Sequence, residues 1–101
     1  MRIHIIGLNE PNLCQLAVTL SQSGYEISGS DTTFSPSNSA MLEKANILLE
    51  QVGWFPERMI EPLNAVLLAG HILADNPELR QAQEMGLTIY SIPEFLYQLS
   101  Q

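Results

Sequence analysis

An α/β domain with a mostly parallel sheet of about five strands is the fold class that this sequence predicts. Two observations support it. Short apolar segments alternate with segments of helical periodicity along the 101 residues, and Gly, Pro, Asp or Asn marks most of the junctions. Short apolar strands joined by helices form parallel sheets that are covered on both faces. The predicted domain is therefore three-layered and Rossmann-like.

The first half of the chain predicts two strands with a helix between them. Residues 2–7 are rich in isoleucine and end at a glycine, which indicates a short buried strand. A helical apolar face follows, formed by Leu13, Leu16, Ala17 and Leu20. Gly24 lies where a left-handed C-cap belongs, and residues 26–30 are the second predicted strand.

The middle of the chain predicts less regular structure. Residues 32–39 are rich in Ser, Thr, Asn and Pro, which indicates a loop. Ser37 or Asn38 is expected to cap a short helix that ends near Lys44. Residues 47–50 are predicted as a third strand, and residues 57–60 as a helical turn.

The last third predicts two further strands, each followed by a helix. Residues 65–68 are apolar, and Asn76 followed by Pro77 is typical of a helix start. Gly86 is expected to close that helix, and residues 87–90 to form a fifth strand. Ser91 and Glu94 have the spacing of a capping box, with helical apolar spacing after them.

Charge and composition exclude several classes of function. The net charge is −7, with 11 acidic residues against four basic ones, so a basic face for nucleic acid or for an anionic membrane is not expected. No apolar stretch approaches the ~20 residues of a membrane span. The single cysteine, Cys14, excludes an internal disulfide and a Cys-based zinc site, and no metal site is predicted. These features fit a cytoplasmic protein.

Ligands of open parallel sheets bind beyond the carboxyl ends of the strands. The turn after the first strand, Gly7-Leu8-Asn9-Glu10-Pro11-Asn12, leads into a helix N-terminus, where phosphates commonly bind. However, Pro11 has no amide hydrogen to donate. The Glu10 carboxylate would lie near the phosphate, and two unit charges ~5 Å apart repel by ~3 kcal/mol at an effective dielectric of ~20. An ordinary capped helix start and a modified anion site both remain open.

Asp31 follows the second strand, about 20 residues beyond this turn. In dinucleotide-binding folds an acidic residue there accepts a hydrogen bond from a ribose hydroxyl. Aspartate is also common in turns, so a purely structural role remains the alternative.

Motifs along nearly the whole chain carry a family resemblance. They are Met1-Arg2-Ile3-His4, Ser28-Gly29-Ser30-Asp31, Gly53-Trp54-Phe55-Pro56-Glu57, Ala74-Asp75-Asn76-Pro77-Glu78-Leu79 and Tyr90-Ser91-Ile92-Pro93-Glu94-Phe95-Leu96-Tyr97. In this order and spacing they resemble the N-terminal domain of Mur ligases, the ATP-dependent amide-forming enzymes of peptidoglycan synthesis. The subgroup they resemble is that of UDP-N-acetylmuramate:L-alanine ligase and the murein tripeptide ligase.

The resemblance implies a domain, spanning residues 1–101, that binds the UDP part of a UDP-N-acetylmuramoyl substrate. Asp31 would contact the nucleotide, His71 and Asn76 would line the pocket, and the first turn would bind the diphosphate. The implied substrate-binding residues are Gly7, Asn9, Glu10, Asn12, Ser30, Asp31, His71 and Asn76. Asn9 and Glu10 stand where the family has paired glycines, so this turn departs from the family pattern.

The resemblance implies no catalytic residue in this chain. The sequence has no G-x-x-x-x-G-K-[ST], so ATP and Mg²⁺ would bind to other domains of a full-length ligase and no cofactor to this one. We expect a truncated or isolated domain that is inactive alone and whose partners are the substrate and the downstream ligase domains.

Two other functions remain open from the sequence. One is a degenerate Rossmann-like protein-interaction module that binds no nucleotide, and the other is a fragment of an NAD-dependent oxidoreductase. The missing G-x-G-x-x-G disfavours the second. Among single residues, His4 is expected at the rim of the sheet, Cys14 as a packed or half-exposed side chain, and Trp54 as a lid over a small core.

Overall fold

The computed structural model describes residues 2–47, 52–56 and 63–101. Strands and helices alternate strictly along these residues. The elements are β1 (Arg2–Ile6), α1 (Pro11–Gln22), β2 (Glu26–Ser30), α2 (Pro36–Lys44), β3 (Ala65–Leu68), α3 (Pro77–Glu84), β4 (Ile89–Ser91) and α4 (Ile92–Leu99).

The strands form one sheet in the order β2-β1-β3-β4. Each neighbouring pair is parallel, with Ile3 of β1 opposite Ile27 on one side and Ala65 on the other. The chain moves outward from β1 to β2 and then returns to the other side of β1 as β3. The strand order therefore reverses between β1 and β3, and the carboxyl ends of these strands form the switch point where such folds bind ligands.

Two apolar clusters lie on opposite faces of this sheet, because successive strand residues point to opposite sides. One cluster joins Ile3 and Ile5 to buried residues of α1, α2 and α4, including Leu13, Leu42 and Phe95. The other joins Ile6 and Val66 to Leu79 and Ala82 of α3. Helices thus cover both faces, which confirms the predicted three-layer, mostly parallel α/β domain.

The described residues contain four strands rather than about five. Of the predicted strand at 47–50, Ile47 belongs to no strand, and residues 48–50 lie outside the described residues. The helical turn predicted at 57–60 also lies outside them. The strand predicted at 87–90 is instead β4, Ile89–Ser91. Its start is later because the Leu87 amide donates to the Ala82 carbonyl oxygen at 3.0 Å and so completes the end of α3.

The helix ends follow local sequence chemistry. Gly24 and Gly86, after α1 and α3, have φ values of +98° and +70°, as predicted for left-handed helix ends. The predicted cap of α2 at Ser37 or Asn38 is wrong: the cap is Ser35, whose hydroxyl accepts a hydrogen bond from the Asn38 amide at 3.2 Å. Pro36, directly after it, occupies the first turn of the helix, a position that proline favours.

Candidate functional site

A cavity of about 360 Å³ opens beyond the carboxyl ends of β2 and β3. This volume lies in the ~300–1,000 Å³ range of small-molecule sites. The lining residues include Asp31, Trp54, His71, Asp75 and Asn76, which come from three separate segments of the chain. The cavity lies at the side of the sheet where the topology predicts ligand binding.

Asp31 follows β2 directly and is 6% exposed. One carboxylate oxygen, Oδ2, accepts a hydrogen bond from the Asn9 amide at 3.1 Å, and Oδ1 accepts one from the Thr32 amide at 2.7 Å. These bonds fix the carboxylate at the cavity wall. Oδ1 also accepts a hydrogen bond from the Thr32 hydroxyl at 3.4 Å, whereas Oδ2 has a further lone pair that can accept a hydrogen bond from a ligand hydroxyl.

Trp54 is half-buried and packs against the apolar cluster that includes Ile6 and Leu79. Hydrogen bonds on both sides hold its backbone. The Gly53 amide donates to the Asp31 carbonyl oxygen at 2.7 Å, and the Phe55 amide donates to Glu78 Oε2 at 2.7 Å. The backbone on both sides of Trp54 is therefore held, and Trp54 lines the cavity together with Asp31.

A buried polar network lies behind this wall. Glu78, fully buried on α3, accepts hydrogen bonds from the Ser30 hydroxyl and from the Phe55 amide, and its Oε1 lies 2.8 Å from His4 Nε2. The other ring nitrogen of His4 lies 2.8 Å from the Ser28 hydroxyl. His4 is therefore not at the rim of the sheet: it lies on β1, an inner strand, and is 2% exposed. The network ties the Trp54 segment to β1, β2 and α3.

Opposing effects act on the pKa of Glu78. Burial alone would raise this pKa. Hydrogen bonds lower it, and they come from His4, from the Phe55 amide and from Ser30; the charge of His4 also lowers it. The lowering effects outweigh burial, so the pKa of Glu78 lies below its ordinary value. Glu78 is therefore a buried carboxylate held in its ionised form.

Asn76 and His71 approach the cavity from the β3–α3 side. Asn76 is the N-cap of α3, where its Oδ1 accepts hydrogen bonds from the Glu78 and Leu79 amides at 2.9 and 3.2 Å. The amide nitrogen of its side chain has no partner among the described residues and is available as a donor. His71 is exposed in the loop after β3.

The amides of the turn between β1 and α1 donate to acceptors in the turn itself and at the end of β2. The Gly7 and Leu8 amides both donate to the Ser30 carbonyl oxygen, and the Glu10 amide donates to the Gly7 carbonyl oxygen. The Asn12 amide donates to Glu10 Oε1 at 3.1 Å, which makes the Glu10 carboxylate the N-cap of α1. An ordinary capped helix start, one of the two interpretations left open by the sequence, describes this geometry.

Asn9 connects this turn to α2. Its Oδ1 accepts hydrogen bonds from the Ser35 amide at 2.9 Å and from Asn38 Nδ2 at 3.0 Å. Gly7, with φ +92°, is closely surrounded: a Cβ placed there would lie 2.6 Å from the Cβ of Ala69. The turn therefore contacts the start of α2 through Asn9 and packs closely against Ala69, directly after β3, through Gly7.

Of the residues predicted for substrate binding, Asp31, His71 and Asn76 meet in the cavity. The other five do not line it: Gly7, Asn9, Glu10 and Asn12 belong to the turn between β1 and α1, and Ser30 belongs to the buried network. Sequence reasoning missed the cavity wall formed by Trp54 and the positions of His4 and Glu78. For Glu78 the sequence indicated the position only in part, because it placed this residue in the first turn of the predicted α3.

Comparison with known proteins assigns the chain to a family. The family model described as "Mur ligase family, catalytic domain" matches residues 2–101. The chain belongs to the Mur ligase family. Mur ligase membership also accounts for the fold, so the fold no longer supports an oxidoreductase.

Among curated Mur ligases, the UDP-N-acetylmuramate–L-alanine ligase of Levilactobacillus brevis is 33% identical over 92% of this chain. The UDP-N-acetylmuramate–L-alanyl-gamma-D-glutamyl-meso-2,6-diaminoheptandioate ligase of Escherichia coli K12 is 31% identical over 98 residues. The chain spans about a fifth of the length of these relatives, 20% and 21% respectively.

Solved Mur ligase structures share the fold. A murein peptide ligase from Psychrobacter arcticus matches 97% of this chain, and 20% of its own, with a TM-score of 0.87 at 24% identity. The UDP-N-acetylmuramate-alanine ligase of Thermotoga maritima matches 98% of this chain, and 22% of its own, with a TM-score of 0.86 at 21% identity.

The sequence contains no G-x-x-x-x-G-K-[ST] motif. The only lysine, Lys44, ends α2 without the glycines of a phosphate-binding loop. In the described part of the chain no three His, Cys, Asp or Glu residues group as a metal site. Of the helices described, none has the length and apolarity that a membrane span requires.

Proposed function

We propose that this chain is the substrate-binding domain of a Mur ligase of peptidoglycan synthesis or recycling, and that it holds the UDP end of a UDP-N-acetylmuramoyl substrate. The observation that carries the proposal is the cavity at the switch point, where Asp31, His71 and Asn76 come together. The names of the curated relatives, which contain UDP-N-acetylmuramate, support the choice of ligand.

In this proposal the chain binds and orients the substrate but carries out no chemistry. Asp31 accepts hydrogen bonds from ribose hydroxyls, the side-chain amide of Asn76 donates to the ligand, and His71 contacts the sugar nucleotide from the loop after β3. ATP and Mg²⁺ would act on further domains of a full-length ligase, so the isolated chain would be inactive. Positioning of a reactant is itself a large part of such catalysis.

Ligand contacts with Gly7, Asn9, Glu10, Asn12 and Ser30, which the resemblance implies, stay predictions. So does a cytoplasmic location.

Calorimetric titration of the 101-residue chain with UDP-N-acetylmuramate tests the proposal. Saturable binding is expected. Asp31→Asn should weaken it about 10-fold or more, since a hydrogen bond to a charged group contributes ~1.5–3 kcal/mol, and His71→Ala should weaken it by about 2- to 10-fold, since a neutral hydrogen bond contributes ~0.5–1.5 kcal/mol. Glu84→Gln, an exposed change on the outer part of α3, is the matched control and should bind as the parent does. Absence of heat up to millimolar ligand contradicts the proposal.

One observation favours the alternative of an interaction module without nucleotide binding. The turn that would hold a diphosphate satisfies its amides with Ser30, Asp31, Gly7 and Glu10 instead. The alternative predicts that the titration shows no binding of any uridine ligand, whereas the proposal requires binding that depends on Asp31 and His71.

A further inference from the structure

Two of the segments that line the cavity meet again behind it, at one buried side chain. Ser30 directly precedes Asp31, and the Ser30 hydroxyl donates a hydrogen bond to Glu78 Oε1. Phe55 directly follows Trp54, and the Phe55 amide donates to Glu78 Oε2 at 2.7 Å. The carboxylate of Glu78 is therefore bonded to the immediate neighbours of two residues that line the cavity.

The third cavity segment, at the start of α3, carries Glu78 itself. Asn76 lines the cavity, and its Oδ1 accepts a hydrogen bond from the Glu78 amide at 2.9 Å. Glu78 is 0% exposed, so it lies behind the cavity wall and has no contact with solvent. One buried residue thus connects the Asp31, Trp54 and Asn76 segments.

A carboxylate suits this position because its two oxygens serve different walls of the cavity. Oε1 accepts from the β2 side through Ser30 and lies 2.8 Å from His4 Nε2, and Oε2 accepts from the Trp54 side through Phe55. An ionised carboxylate has acceptors only, whereas a glutamine side chain has a single acceptor oxygen. A glutamine here could therefore accept from one of the two walls but not from both.

We infer that Glu78 is a positioning residue: it sets the placement of the Asp31 and Trp54 walls relative to each other, and so the ligand affinity of the cavity, without touching the ligand. A purely stabilising role would leave the walls and the affinity unchanged in a folded variant. The positioning role rests on the proposed function only for the ligand used in one of its tests, because the arrangement of the walls can be measured without a ligand.

Amide hydrogen exchange, followed by NMR, tests the placement of the Trp54 wall. The Phe55 amide should be protected in the parent chain and should lose about 10-fold protection or more in Glu78→Gln, since it loses a hydrogen bond to a charged group. The reference is the Cys14 amide, which donates to the Glu10 carbonyl oxygen on α1 at 3.0 Å. A loss of global stability alone would lower the protection of both amides, so the loss should be larger at Phe55.

Two results of the exchange experiment overturn the positioning role. One is a loss at Phe55 that does not exceed the loss at Cys14 in Glu78→Gln. The other is a Phe55 amide that exchanges in the parent chain as fast as in the urea-unfolded chain, and this measurement decides the question even if Glu78→Gln does not fold.

Quenching of tryptophan emission by acrylamide reports on the same wall, because Trp54 is the only tryptophan of the chain. In folded Glu78→Gln the quenching constant should rise by about twofold or more, since the half-buried indole is no longer held on the Glu78 side. Phe95→Leu is the matched control: it destabilises the apolar cluster on the other face of the sheet and should leave the quenching unchanged. Equal quenching in folded Glu78→Gln and in the parent overturns the positioning role.

Calorimetric titration with UDP-N-acetylmuramate measures the effect on affinity. Glu78→Gln should bind about fivefold more weakly than the parent or worse, because small displacements of groups that orient a ligand are costly. Phe95→Leu and Glu84→Gln should bind as the parent does. If the parent binds and folded Glu78→Gln binds equally well, the positioning role is wrong and the proposed function stands. If the parent does not bind, the proposed function is wrong, and the exchange and quenching results still decide whether Glu78 places the walls.

Discussion

At the scale of single residues, Glu78 connects distant parts of the chain through one carboxylate. We predict that Glu78→Gln lowers the free energy of unfolding at pH 7 by about 2–3 kcal/mol, because hydrogen bonds to a charged group are lost and a new amide donor faces existing donors. Urea unfolding measures the change. Glu84→Gln, on the exposed side of the same helix, should change stability by less than ~0.5 kcal/mol.

The pH dependence of this effect has a definite sign. Because the pKa of Glu78 is lower in the folded protein, its stabilisation is fully present above the unfolded pKa of ~4.3 and is lost as pH falls through the folded pKa. The stability difference between parent and Glu78→Gln should therefore shrink as pH drops below about 4. A difference that stays constant from pH 7 to pH 3 contradicts this prediction.

Cys14 gives a second prediction at this scale. Burial, then the negative charges of Glu10 and Asp31, raise the pKa of its thiol to about 11, and its Sγ donates to the Leu8 carbonyl oxygen at 2.9 Å. At pH 8 its reaction with a disulfide reagent should be ~100-fold or more slower in the folded chain than in urea, because the thiolate is the reactive form. Similar rates in the two states would show that the side chain is accessible.

At the scale of elements, helix starts are set by a few neighbouring residues. We predict that Ser35→Ala destabilises the chain by about 1 kcal/mol, since the Asn38 amide loses its acceptor at the start of α2. Ser37→Ala, an exposed change on the first turn of the same helix, should have little effect on the urea midpoint. The reverse order of the two effects would assign the cap to Ser37.

This local character explains which elements the sequence could predict. The caps at Asn76 and Ser91 use partners only two or three residues away, so they were visible in the sequence, and α3 and α4 start where predicted. The start of α2 was misplaced because two serines and an asparagine compete within four positions. The extent of β4 depended on the Leu87 amide, whose acceptor is the Ala82 carbonyl at the end of α3.

Some residues of the candidate site could also be predicted from the sequence, and others could not. Asp31 was predictable because it directly follows β2, and the carboxyl ends of parallel strands lie at one edge of the sheet. His71 and Asn76 were predicted through the family resemblance. Trp54 was not, because its position depends on hydrogen bonds to Asp31 and Glu78, the latter 23 positions from Phe55. His4 and Glu78 are 74 positions apart in the sequence, so no local sequence pattern could predict their contact.

At the scale of the whole molecule, charge controls which ligands can approach. With 11 acidic and four basic residues the net charge is −7, so the protein repels an anionic ligand at long range. The Debye length falls from ~30 Å at 0.01 M salt to ~8 Å at 0.15 M, which screens most of that repulsion. Uridine carries no charge, so the negative charge of the protein does not repel it.

We therefore predict that UDP binds more tightly as sodium chloride rises from 10 to 150 mM, by a factor of ~3, while the affinity for uridine stays constant. Calorimetry of the two ligands in matched buffers measures both trends. Glu10→Gln should raise the affinity for UDP at low salt and leave that for uridine unchanged, because it removes the carboxylate at the start of α1. Binding of UDP that weakens with salt would instead indicate that cationic groups hold the diphosphate.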